Sequence, residues 1–188
     1  MKINIKFLKQ NLNKNLLIFC DENFVPKKLD LNFSKSTYSN ILKCIEIEKK
    51  NTEKKEYLIF SAKPTQKIIA FKTNKNSTSL DNEKLGGKFF EILSYYKIND
   101  VNIIDSNISY LQTKNKKFIF EFLHGLNLKS YEFNKYKTKN KNKLVNLMIS
   151  PKFKPGFSAN NLRYTSLAEG IKLTKDLVSE PGNILHPD

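Results

Sequence analysis

A chain of 188 residues gives one domain of ordinary size with an appendage, and its 39% hydrophobic and 12% aromatic content excludes wholesale disorder. The formal charge of +15 invites a nucleic-acid or membrane partner, yet Arg163 is the only arginine. The bidentate fork with which sequence-specific DNA readers pair guanine is therefore missing, and a lysine surface gives at most salt-sensitive, unspecific attraction to phosphate. Asparagine is heavily used beside lysine, between Asn11 and Asn15 and from Asn140 to Asn142. That pairing follows codon bias in an AT-rich genome and favours a solvated lysine surface.

Cys20 and Cys44 are far apart, with no C-x-x-C and no Cys/His cluster. They read as free thiols in a reducing cytoplasm, and a structural zinc site is not expected. The start, Met1 to Leu8, lacks a signal-peptide core, and no apolar stretch approaches the ~20 residues that span a bilayer. The expectation is a soluble, cytoplasmic protein with no membrane partner.

Residues Lys2 to Leu8 alternate Ile3, Ile5 and Phe7 with polar neighbours, which predicts a strand with one wet face. The continuous apolar run within Asn15–Cys20 suits a buried strand. A loop carrying Pro26 follows over Asp21–Asn32. Ser34–Lys49 places Ile41, Leu42 and Ile45, with Tyr38 as a further candidate, at helical spacing, and Lys49–Lys55 is a charged break. Glu56–Ala62 and Lys67–Lys72 read as two strands joined by a turn at Lys63–Gln66. Ser77–Lys97 predicts a helix with Leu85, Phe89, Ile92, Leu93 and Tyr96 on one face. Asp100–Asp105 reads as a strand.

Lys117–Lys137 carries two patterns. Phe118, Phe120 and Phe122 alternate as in a strand, whereas Ile119, Phe122, Leu123, Leu126 and Phe133 form a helical stripe. Its length favours a helix, since strands seldom exceed about ten residues. Lys143–Ile149 is a last strand, and Pro151, Pro155 and Gly156 break the pattern. Phe157–Ser179 predicts a long helix with Tyr164, Leu167, Ala168, Ile171 and Val178 on one side, ending before Pro181. The interleaved order predicts an α/β fold, with a mixed sheet carrying helices on both faces, followed by a connector helix.

No catalytic constellation assembles from these residues. His124 and His186 have no second ligand nearby, so a structural role is favoured for each. The stretch Leu85-Gly-Gly-Lys88 lacks the spacing of a phosphate loop and reads as close packing of its helix on the sheet. Glu46 and Glu48 point to different sides of a helix, and Glu53 and Glu56 lie in a charge-rich loop. Asp105 is better placed, at a strand's end where α/β ligand sites gather, but it has no obvious partner.

Two segments carry a stronger signal. Gly125-Leu-Asn-Leu-Lys-Ser-Tyr-Glu-Phe-Asn-Lys-Tyr-Lys-Thr-Lys139 fits G-x-x-L-x-x-Y-x-F-x-x-Y-K. Ala168-Glu-Gly-Ile-Lys-Leu-Thr-Lys-Asp-Leu-Val-Ser-Glu-Pro-Gly-Asn-Ile-Leu-His-Pro187 fits A-x-x-x-x-x-x-R-D-L-x-N-x-P-x-N-x-L-x-P, with Lys175 for the arginine and Ser179 for the first asparagine. Both resemble the leucyl (cytosol) aminopeptidase family, in matching order and separation, the first near the end of its N-terminal domain and the second where its catalytic domain begins. Over the first 120 residues the resemblance is only in the pattern of elements.

The resemblance implies a macro-domain-like N-terminal domain over residues 1–150. It implies that residues 151–188 are a linker, a connector helix and the start of a C-terminal metallopeptidase domain that this chain lacks. The family's enzymes are hexameric exopeptidases in which two divalent ions, zinc or manganese, activate water and polarise the scissile carbonyl. Their metal-binding carboxylates and catalytic lysine and arginine lie in the C-terminal domain. None maps onto residues 1–188, so no catalytic, cofactor-binding or metal residue is carried over. The expected partners are the chain's own catalytic domain, a homo-hexamer and, for the whole enzyme, peptides. The competing expectation is a macro-like module binding ADP-ribose, nucleotide or nucleic acid through its lysines.

Overall fold

The computed structural model describes residues 2–9, 11–26, 29, 32–50, 56–74, 76–112, 115–136 and 144–181. Six strands, β1 (Lys2–Phe7), β2 (Leu16–Cys20), β3 (Tyr57–Lys63), β4 (Gln66–Lys72), β5 (Asp100–Ile103) and β6 (Leu144–Ile149), form one sheet in the order β1-β6-β5-β2-β4-β3. All neighbours are parallel except β3, the antiparallel edge joined to β4 by a tight turn. The predicted mixed α/β sheet is thus present, and the apolar run Leu16–Cys20 is its buried inner strand.

Among the described residues five α-helices accompany the sheet: α1 (Lys35–Lys50), α2 (Ser79–Tyr95), α3 (Asp105–Gln112), α4 (Phe118–Lys129) and α5 (Lys154–Val178). Alternate residues of β2 feed two cores. Leu16 and Ile18 pack with Ile41 and Ile45 of α1 on one face. Leu17 and Phe19 pack with Phe89, Phe122 and Leu126 of α2 and α4 on the other. The rings of Phe118 and Phe122 meet Phe19 edge-on, with centroids 5.1 and 5.3 Å away, the favoured aromatic geometry.

α2 and α4 cross at paired glycines. A Cβ on Gly86 would lie 1.9 Å from the Phe122 carbonyl oxygen, and one on Gly125 would lie 1.9 Å from that of Glu83. Only glycine permits this approach. The Gly-Gly pair of α2 therefore packs on α4, not on the sheet as its sequence suggested.

The structure changes five other expectations. Lys117–Lys137 is helical only to Lys129, because the chain turns at Ser130 and leaves Phe133 outside any helical stripe. Asp105 does not extend β5 but opens α3, a helix that sequence periodicity did not reveal. Pro155 and Gly156 do not break the chain. Pro155 falls in the first turn of α5, where its missing N–H has no helical partner to lose. On α5 itself Ala168 is buried and Tyr164 and Ile171 are half-buried, whereas Leu167 and Val178 face solvent. Tyr96, expected on the inner face of α2, is also exposed.

Candidate functional site

The two segments that carry the family resemblance lie against each other. α4 ends at Lys129 and the chain runs on as a loop through Tyr131–Tyr136, alongside the last turns of α5. The Tyr131 hydroxyl donates to the Asp176 carboxylate at 2.8 Å. Lys175 Nζ donates to the Leu128 carbonyl at 3.3 Å and stands 5.2 Å from the Tyr131 ring centroid. Below them Lys135 and the Tyr136 hydroxyl both donate to Glu180, the lysine at 2.5 Å.

The electrostatics follow from those bonds. The Lys135 ammonium, then the Tyr136 hydroxyl, hold the Glu180 carboxyl below the usual carboxylate range, while Glu180 in turn raises Lys135 and Tyr136. Desolvation, then the bond to Asp176, pushes the Tyr131 phenol up. Raised tyrosines and a depressed carboxyl are groups held in their resting protonation states. This arrangement fastens two segments and activates neither a nucleophile nor a base.

A concavity of about 850 Å³ opens beyond the carboxyl ends of β2 and β4, the usual ligand position of an α/β sheet. Its walls mix Glu22, Glu56 and Glu91 with Lys72, Lys84 and Lys88, so it is no basic funnel. The start of α2 there is already capped. Asp81 accepts from the Thr78 N–H and hydroxyl, and Thr78 accepts from the Asp81 N–H. These bonds lower the Asp81 carboxyl, the Thr78 N–H contributing most. A fixed negative charge therefore sits where a phosphate would bind.

The residues singled out in the sequence do not converge. His124 is buried under Tyr164, its Nδ1 without a hydrogen-bond partner among the described residues, beside a small cavity of about 110 Å³ that Asn127, Asn161 and Thr165 also line. Glu46 pairs with Lys49 one turn on. Glu56 borders the larger cleft, Asp105 begins α3, and Glu53 and His186 fall outside the described residues. Cys20 is buried, and desolvation, helped by Asp21, pushes its thiol up to about 12.

Sequence reasoning missed Glu121. It is 2% exposed, and its carboxylate accepts from Ser79 Oγ and Asn82 Nδ2, both at 2.7 Å, and from Asn115 Nδ2 at 3.3 Å. One signal was available: an acid between Phe120 and Phe122 on an otherwise apolar helix. Among the described residues no three His, Cys, Asp or Glu side chains gather as a metal site would need. No helix among them is long and apolar enough to cross a membrane.

No established family profile matches the sequence. A probable cytosol aminopeptidase of Methylorubrum populi is 36% identical over 76 residues, 37% of this chain and 15% of that protein. A mutant of tomato leucine aminopeptidase superposes over the whole chain with a TM-score of 0.69, at 17% identity and across 40% of its own length. The chain is similar to cytosol and leucine aminopeptidases, in sequence over part of its length and in fold over nearly all of it. The cytosol aminopeptidase of Coxiella burnetii shares the fold over 95% of this chain and 33% of its own, with a TM-score of 0.55 and 15% identity. The chain thus spans well under half the length of each of these aminopeptidases.

Proposed function

We propose that this chain is the N-terminal, non-catalytic part of a cytoplasmic leucyl-type aminopeptidase, a two-metal exopeptidase that releases N-terminal amino acids from peptides. Residues 1–150 form the domain, and residues 151–188 lead into the catalytic domain. The metal ions, manganese or zinc, belong to that further domain. The role of this part is structural: it fixes the direction in which α5 leaves the body and so supports assembly into a homo-hexamer.

The observation that carries this reading is the bonding of Tyr131, Lys135 and Tyr136 to Asp176 and Glu180. Residues of one family-like segment are tied to residues of the other, 44 or 45 positions away. Charge-assisted bonds of this kind restrain orientation, which a connector between two domains needs. The capped helix start in the larger cleft disfavours the nucleotide-binding alternative.

The coding sequence downstream of Asp188 tests the reading. A K-x-x-x-x-D segment followed by one like N-T-D-A-E-G-R is expected, because those segments mark the family's catalytic domain. A downstream reading frame without either would remove the basis of the proposal.

A further inference from the structure

Among the described residues, α5 is held along one side only. Phe157 and Ala168 are buried, Tyr164 lies against Phe120 and His124, and Lys175 and Asp176 reach Leu128 and Tyr131. The opposite side carries Leu162, Leu173 and Leu177, which are 66%, 62% and 49% exposed. Ser166 and Gly170 fall between them on the same helical stripe, and Val178 flanks its end at 81% exposure. A Cβ placed on Gly170 would meet nothing within 4 Å among the described residues. The stripe is thus apolar at both ends, notched in the middle, and rimmed by the exposed charges Arg163, Glu169 and Lys172. Scattered exposed leucines are ordinary; a continuous rimmed stripe marks a contact surface.

We infer that this stripe is the seat of an apolar helix belonging to the further domain of the same polypeptide, which crosses α5 at Gly170. The inference rests on the proposed aminopeptidase reading and adds the surface through which the two domains meet. Size selects the occupant. A stable complex between free proteins uses roughly 20–30 residues a side, far more than one helical stripe offers. A tethered domain needs much less, because the tether sets an effective concentration in the mM range. The relatives that share this fold are long enough to supply such a domain, since the chain spans 40% and 33% of them. The Ser166–Gly170 notch suits a helix because small side chains let two helix axes come close.

The test is thiol accessibility in a Cys44→Ser background, comparing residues 1–188 with the full gene product. Leu173→Cys should react at least tenfold more slowly in the full product, whereas Ile47→Cys on α1 should react equally in both. Adding Gly170→Leu, which has room in residues 1–188, should fill the notch and restore fast labelling of Leu173→Cys. Equal rates for Leu173→Cys in the two proteins would overturn the inference. So would protection that appears only at high concentration in residues 1–188, because a second copy would then be the occupant. Peptidase activity in the full product with fast labelling sinks the seat alone; protection without peptidase activity sinks the aminopeptidase reading alone.

Discussion

Tyr131 and Asp176 are 45 positions apart, yet the tyrosine hydroxyl meets the aspartate carboxylate at 2.8 Å. The bond joins the loop after α4 to the last turns of α5, and the account of this chain as a domain that aims a connector turns on it. Tyr131→Phe should therefore release the end of α5, seen as several-fold faster amide exchange over residues 171–180 with the sheet unaffected. Asp176→Ala, which removes the acceptor, should do the same, and the double variant should add little, because both changes remove one interaction. Additive effects would show that the two residues act separately.

The neighbouring Glu180 makes this fastening dependent on pH. Its carboxyl is depressed by Lys135 and Tyr136, so folding gains from its ionised form above the ordinary carboxylate value, 4.5. That gain is lost as pH falls through the depressed value in the folded state. Lys135 is raised, so its contribution is present below the ordinary lysine value, 10.5, and disappears as pH rises through the raised one. Amide exchange at the end of α5 should quicken at both extremes, and Glu180→Gln should flatten the acid limb. An unchanged acid limb in that variant would count against the assignment.

The glycines should separate sharply. Gly86→Ala and Gly125→Ala each drive a Cβ into backbone and should cost about 3 kcal/mol or more by urea unfolding. Gly87→Ala meets nothing nearer than Lys129 Cβ, at 3.8 Å, an ordinary van der Waals contact, and Gly170→Ala meets nothing within 4 Å among the described residues. Both should be neutral or stabilising by up to ~1 kcal/mol through helix propensity. A tolerated Gly86→Ala would mean that α2 and α4 are not in the contact described.

Glu121 anchors the start of α2 to α4. Glu121→Leu would leave Asn82, 1% exposed, without its carboxylate partner, and should cost about 2–3 kcal/mol in urea unfolding. The two cysteines offer a simpler measurement. With its thiol raised to about 12 and buried, Cys20 should resist an aromatic disulfide reagent at pH 8 until the chain unfolds. Cys44, half-buried on α1, should react first. Equally rapid reaction of both thiols would contradict the packing of β2.

Most of the sheet was legible because strands such as Leu16–Cys20 and Gln66–Lys72 are short apolar runs bounded by polar turns. Helix α3 was not, since Asp105–Gln112 has too few apolar residues to show a period. The ends of α4 and α5 were misjudged because local signals compete there: Phe133 continues a helical spacing past the turn at Ser130, and Pro155 looks like a break but serves as a first-turn residue. Glu121 and its donors come from three separate stretches, so only the fold brings them together. The pairing of Tyr131 with Asp176 was equally invisible, although both residues lay within the two segments that signalled the family.

The central claim is that this part of the polypeptide positions an aminopeptidase domain and does not itself cut peptides. Hydrolysis of leucine p-nitroanilide with added manganese tests it most directly, with residues 1–188 and the full gene product assayed side by side. The account predicts no release above background from residues 1–188 and clear turnover from the full product. Turnover by residues 1–188, or an inert full product, would contradict it.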